Sequence, residues 1–357
     1  MFKFALSAFI SLLFALTPAE AAKVEQRSSS ATVSKQKAKK SAAKKQRYKR
    51  KEAASKRVNV STRGKAVRRV ITVRGKRKVV YQSATYAAPV VRAMTAGDKA
   101  GLNLTRDPLD LSSSVALVLD QTNSEVLFEK NAGVALPIAS ITKLMTGLIV
   151  VEAQQDMDET LTVTDDDVDR EKFTTSRLRV GSRLTRREML HIALMSSENR
   201  AAAALGRNYP GGIQGFVAAM NAKAHELGMS DTRYVDSSGL SSRNVASARD
   251  LAKLVMAAHQ QPLLREFSTD PASSVAASGR QVQYRNTNYL VSSPDWDIGL
   301  QKTGFINEAG RCLVMQTIIQ GRAVIMVFLD SKGKQSRTAD AGRMRRWLEA
   351  LKPPGLS

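Results

Sequence analysis

From about residue 113 the chain alternates between short apolar runs and amphipathic stretches. Residues 115–119 and 126–128 are apolar runs flanking Asp120-Gln121-Thr122-Asn123, the pattern of two strands joined by a turn. Pro137 then opens an apolar helix expected to run to about Glu152. Thr185, followed three residues later by Glu188, forms a capping box for a helix that stops near Ser196. Amphipathic helices are expected over about 214–227, ending at Gly228, and over 248–259, with Ser247 as N-cap. Past Arg280 the period shortens to strands at 300–303, 311–319 and 323–329, the last two joined at Gly321; a helix over about 338–351 follows. Strands at both ends with helices between them imply an α/β fold. Its antiparallel sheet is assembled from N- and C-terminal strands, with helices packed on it and a helical subregion.

Charge divides the 357 residues unevenly. The net +23 comes almost wholly from residues 22–92, which hold 23 Lys and Arg against Glu25 and Glu52. The remainder is near neutral, so the high pI belongs to one segment and no nucleic-acid partner is expected. Residues 1–21 read as a signal peptide: Lys3 starts it, an apolar run of thirteen follows, and Ala19-Glu20-Ala21 offers a cleavage site. That run is shorter than the roughly 20 residues a membrane-spanning helix needs. The expected organisation is a signal peptide over 1–21, a basic low-complexity and mostly disordered segment over 22–110, and one folded domain over 111–357. Within the basic segment, residues 67–81 alternate enough to permit a hairpin around Arg74-Gly75-Lys76. The segment reads either as a solvated linker or as an adhesive for a polyanion. In an exported protein that polyanion would be an envelope polymer or acidic lipid head groups.

Composition also narrows the chemistry. The single Cys312 rules out an intramolecular disulfide framework and a cysteine-based zinc site. His191, His225 and His259 stand in no H-E-x-x-H arrangement, and no metal or other cofactor is expected. Asp165, Asp167 and Asp169 alternate like a calcium loop, but Arg170 stands where Gly is needed and Ser176 where Glu is needed.

Three short motifs carry candidate chemistry. Ser140-Ile141-Thr142-Lys143 places a hydroxyl and an amine at i, i+3 on one helical face. Serine is a poor nucleophile until a neighbour takes its proton, and a buried lysine in its neutral form is such a neighbour. Similar spacings at Ser34, Ser41 and Ser331 lack the apolar helical context. Ser197-Glu198-Asn199 follows the helix ending near Ser196 and reads equally as a capped turn, a pattern repeated at Ser242-Arg243-Asn244. Lys302-Thr303-Gly304 ends an expected strand, presenting a cation and a hydroxyl beside a residue that permits close backbone approach.

The order S-x-x-K, then S-x-N 57 residues later, then K-T-G 105 residues after that, resembles the penicillin-recognising serine enzymes. The resemblance extends over PIASITKLMTG, LHIALMSSENRAAAALGRNYPGG, FVAAMNAKAHELGM, DSSGLSSRNVASARDLAKLV and GLQKTGFINEAGRCLVMQT. Over about residues 110–351 it is with the exported D-alanyl-D-alanine endopeptidases among the low-molecular-weight penicillin-binding proteins, whose fold is β-lactamase/transpeptidase-like. This resemblance implies Ser140 as nucleophile, Lys143 as general base and Ser197 as proton relay. It implies substrate contacts from Asn199, Lys302, Thr303 and Gly304, and an oxyanion hole from the backbone N–H groups of Ser140 and Phe305. It further implies a periplasmic monomer acting on the D-Ala-meso-diaminopimelate cross-link of peptidoglycan, with β-lactams as covalent inhibitors.

Three rivals remain. A DD-carboxypeptidase is the nearest, although 351–357 leave no room for the amphipathic C-terminal anchor that many of those carry. A class A β-lactamase needs a glutamate between the second and third motifs, and 234–240 contains none. A non-catalytic wall-binding module would have no use for the Ser140–Lys143 pair.

Overall fold

Residues Ser113–Asp120 are buried at every position, the mark of a strand covered on both faces. In a computed structural model of the chain, residues 93–351 are described, together with the backbone of residues 66–73 and 76–83. The signal peptide and most of the basic segment lie outside the described residues. Within that segment Ala66–Val73 pairs antiparallel with Lys76–Ser83, Val73 opposite Lys76, as the alternation at 67–81 predicts.

The main sheet contains β1 (Ser113–Asp120), β2 (Val126–Lys130), β3 (Asp297–Ile306), β4 (Gly310–Ile319) and β5 (Arg322–Ser331). Its order is β3-β4-β5-β1-β2, every pair antiparallel, so the N-terminal pair β1–β2 joins the three C-terminal strands in one sheet, as expected. Side-chain alternation sends Leu117, Leu119, Val314, Ile325 and Val327 to one face. Ala116, Val118, Leu313, Met326 and Phe328 go to the other, where Ala341, Met344 and Leu348 cover them. Those last three belong to the C-terminal helix Ser336–Ala350.

The helices are α1 (Thr142–Glu152), α2 (Arg186–Met195), α3 (Asn199–Arg207), α4 (Gly212–Glu226), α5 (Ala248–His259), α6 (Pro262–Thr269) and α7 (Ser336–Ala350). All but α7 contribute to the larger core on the first face. Thr185 accepts from Glu188 N–H while Glu188 reaches back to Thr185, closing the capping box. Ser247 caps α5 through Asp250 N–H. Among the described residues no helix is long and apolar enough to cross a membrane.

Several expectations need correction. The helix after Pro137 begins at Thr142: Leu136–Pro137 pairs with Val245–Ala246, and a 3-10 turn over Ala139–Ile141 intervenes. Lys302-Thr303-Gly304 does not end its strand but lies inside β3, which sits at the sheet edge. Helices α3 and α6 and the hairpin Ala272–Ala277/Arg280–Arg285 were not anticipated. Order also starts before residue 113. Ala96–Lys99 forms a helical turn whose Ala96 N–H bonds Glu308 O at 2.8 Å, and Asp98 pairs with Lys332. Those anchors are more than 200 positions away, beyond the reach of any local pattern.

Candidate active site

The chain enters the site under tight backbone control. Ile138 N–H bonds Asn244 O at 3.1 Å, and Ala139 then turns with φ +49°, a left-handed conformation that L side chains rarely adopt. Thr142 Oγ1 donates to Ala139 O at 2.8 Å and accepts from Asn244 Nδ2 at 3.2 Å. Gly239, at φ +78°, packs against the same peptide; a Cβ there would stand 2.0 Å from Ala139 O. Ser140 is thus presented half-buried, one turn ahead of Lys143.

Lys143 is wholly buried, with Nζ 3.0 Å from Ser140 Oγ, 2.7 Å from Asn199 Oδ1 and 2.5 Å from Ser238 O. The last two partners only accept, so each consumes one N–H of the amine. What remains toward Ser140 is a third N–H when the amine is charged, or its lone pair when it is neutral. Burial pulls its pKa down to about 8, partly countered by the charges of Asp236, Glu198 and Asp169. The arrangement is that of a base aimed at one hydroxyl.

Ser197 follows α2 with φ +63°, and Glu198 caps α3 by accepting from Arg200 N–H. Lys302, also wholly buried, donates to Ser197 Oγ and to Thr303 O, both at 3.0 Å. Burial, then the charges of Lys143 and Arg337, hold its pKa well below the ordinary lysine value. Thr303 Oγ1 lies 2.6 Å from Thr287 Oγ1. Gly304 brings β3 against the nucleophile turn: a Cβ there would sit 2.8 Å from Ile138 O and 3.2 Å from Ser140 N. The backbone N–H groups of Ser140 and Phe305 therefore belong to neighbouring segments. The Phe305 ring is exposed, with the Arg311 guanidinium 4.6 Å from its centroid. Ser140, Lys143 and Asn199 thus share one bonded network and Ser197, Lys302 and Thr303 another, and Gly304 brings the second against Ser140.

The peptidase S11 family, described as D-alanyl-D-alanine carboxypeptidase, matches residues 103–333. The chain belongs to this family. It is 51% identical over 253 residues to a D-alanyl-D-alanine endopeptidase of Pseudomonas aeruginosa, spanning 70% of this chain and 81% of that protein. A D-alanyl-D-alanine endopeptidase of Escherichia coli K12 is 44% identical over 245 residues, spanning 68% and 79%. Among solved structures, the Streptomyces K15 DD-transpeptidase superposes with a TM-score of 0.64 at 25% identity, covering 69% of this chain and all of that one. The protein is accordingly a penicillin-binding serine DD-peptidase with a mixed α/β fold.

Several parts of this DD-peptidase site escape sequence reading. The Ser238 carbonyl reaches Lys143 because Asp236 organises its turn, accepting from Ser238 N at 2.7 Å and Ser241 N at 3.0 Å. An Asp followed three residues later by Gly is a turn signal, though not one that names a target. Arg337 of α7 donates to Gly304 O at 2.8 Å and Cys312 O at 3.2 Å, supporting β3. Its burial draws its pKa down to about 10. The residues set aside earlier have structural partners: Asp167 grips Arg207 at 2.9 Å, and His191 stacks on Phe267 and meets Asp270 at 2.8 Å. Cys312 is buried in β4, and burial pushes its thiol up to about 12.

Proposed function

We propose that this DD-peptidase is exported and cuts the D-Ala-meso-diaminopimelate cross-link of peptidoglycan. The observation that carries the reading is the Lys143 amine, held by two pure acceptors so that its remaining position faces Ser140 Oγ at 3.0 Å. Ser140 Oγ attacks the D-Ala carbonyl carbon while its proton passes to Lys143 Nζ. The negative oxygen is received by the Ser140 and Phe305 N–H groups, each such donor typically worth about 10²–10³ in rate. Collapse breaks the C–N bond, and the proton that Lys143 took is relayed through the Ser197 hydroxyl, held by the Lys302 amine, to the leaving amine, which leaves Lys143 neutral again. Water then attacks the ester with Lys143 again as base and restores Ser140. Asn199 holds the substrate peptide, Thr303 binds its carboxylate or carbonyl oxygen, and Gly304 lets the strand that binds substrate lie against the Ser140 turn.

Incubation with a cross-linked disaccharide-peptide dimer and, separately, an uncross-linked pentapeptide monomer tests the substrate. Cleavage of the dimer to monomers is the expected result. Loss of terminal alanine from the pentapeptide with the dimer untouched overturns it in favour of a carboxypeptidase. β-Lactams acylate Ser140 and leave slowly, since residues 234–240 supply Lys143 with a carbonyl and contain no glutamate to activate water.

Residues 1–21 act as the export signal, and the basic stretch within 22–110 adheres to anionic envelope polymers or lipid head groups. Residues 111–357 carry the peptidase. Deleting residues 22–92 is expected to reduce envelope association, the loss being largest at low salt because screening already weakens the contact at high salt. Partitioning unchanged at every ionic strength would make the segment a linker.

A further inference from the structure

The loop between Asp165 and α2 meets the catalytic network at Thr174, beside a second bond in which Ser176 Oγ donates to Glu198 Oε1 at 2.6 Å. Asn199 Nδ2 donates to Thr174 Oγ1 at 3.0 Å, and Thr174 Oγ1 donates in turn to Asp169 Oδ2 at 2.7 Å. Asp169 also accepts from the backbone N–H groups of Glu171, Lys172 and Thr174 at 2.8–2.9 Å, so its position is fixed by its own loop. Burial pushes its carboxyl up, but these bonds outweigh burial and keep it below the usual carboxylate range. The loop has a second anchor where Lys172 meets Glu308 in the β3–β4 turn at 2.7 Å.

The direction of the bonds matters more than their number. A carboxylate only accepts, so Asp169 compels the Thr174 hydroxyl to donate toward it. That turns the hydroxyl's lone pairs to Asn199, which must answer with its N–H₂ end. The amide oxygen of Asn199 is thereby turned to Lys143, where it accepts at 2.7 Å. Reversing the amide would set two donors, Nδ2 and Nζ, against each other.

We propose that Asp169 and Thr174 are positioning residues that fix the amide orientation of Asn199 and, through it, the aim of Lys143 at Ser140. This rests on the reading of Ser140 and Lys143 as nucleophile and base. The loop acts at a distance from the substrate, by polarity handed along three side chains. Asp169 has a second, electrostatic effect. It is one of three acids facing Lys143, with Asp236 from the 236–241 turn and Glu198 at the start of α3, while the cation of Lys302 opposes them.

The test is the rate of acylation by a fluorescent penicillin across pH, measured on the full chain and on T174V, T174S and D169N, with thermal melts as a check on folding. T174V removes the hydroxyl at nearly constant volume on an exposed residue, and an about five- to tenfold slower acylation is expected, the scale of one oriented hydrogen bond. T174S restores the rate to within about twofold, because only the hydroxyl is needed. D169N slows acylation as T174V does, since its amide donates to Thr174 and releases that hydroxyl toward Asn199. It also moves the acid limb of the profile to lower pH, one countercharge having been taken from Lys143. T174V and D169N acylating like the unaltered protein, or T174S as slow as T174V, would overturn the proposal. An unaltered protein that penicillin does not label would instead overturn the nucleophile assignment beneath it.

Discussion

Ser140→Ala is expected to lose covalent penicillin labelling outright and to hydrolyse D-alanyl peptides slower by on the order of 10⁴-fold or more. The size follows from the covalent route: without the hydroxyl no acyl-enzyme forms, and what survives is only binding and oxyanion stabilisation of a direct water attack. The structure gives a reason to expect a folded variant. The Ser140 side chain is half-buried and its Oγ is bonded to Lys143, which keeps Asn199 and Ser238 as partners when Oγ is removed. Intact-mass measurement after exposure to penicillin checks the outcome directly, with a thermal melt to confirm that folding is unchanged. An adduct of full stoichiometry on the alanine variant would mean that another residue is acylated.

The sheet and several helices were legible because their signals are local. Strand β1 reads as a buried strand from its apolar run, and α2 and α5 announce themselves through Thr185 with Glu188 and through Ser247. Helix α6 carries a proline at its first position, Pro262, and Leu263, Leu264 and Phe267 at helical spacing, but its eight residues make only about two turns, too few for a periodic pattern to stand out. Helix α3 was hidden for another reason: its cap, Glu198, and first residue, Asn199, lie inside a motif read as a turn.

The site divides along the same line. Ser140 and Lys143 are three residues apart, and that spacing alone puts them on one face. Asn199, Ser238 and Lys302 come from segments 56 to 159 residues further on than Lys143, and only the fold brings them within bonding distance of Lys143 and Ser197. Motif order made the Asn199 and Lys302 contacts foreseeable by resemblance. The Ser238 carbonyl is backbone and has no residue type to recognise. Thr174 and Asp169 sit on a loop whose alternating aspartates point to calcium when read alone. Arg337 lies on the opposite face of the sheet from most of the helices, and nothing around it in sequence hints at β3.

Lys143→Met is expected to cut acylation by about 10²–10⁴-fold, the range of a lost general base, and yet to compare most favourably in stability with the unaltered protein near pH 7. In the unfolded chain the amine has its ordinary pKa of 10.5, whereas in the folded protein burial draws it to about 8. Below pH 8 both states hold the proton, so the folded protein carries the full burden of a charged, buried amine. At 1.36 kcal/mol per pKa unit that burden is about 3 kcal/mol. Between pH 8 and 10.5 the unfolded state holds more protons than the folded one, so the unaltered protein gains stability as pH rises and the burden has gone above 10.5. Methionine removes it at every pH. Against this stand Asn199 Oδ1 and Ser238 O, which lose a donor at roughly 1–3 kcal/mol each where water does not replace it. Lys302 adds to the gain, because the charge of Lys143 is among those that depress it. The sign test is therefore the pH dependence and not the absolute value: in urea melts, the stability of Lys143→Met relative to the unaltered protein should be greatest near pH 7 and fall steadily from pH 8 to 10.5. A difference that stays flat over that interval would mean the amine keeps its ordinary proton affinity when folded, and such an amine would be a poor base for Ser140 at neutral pH.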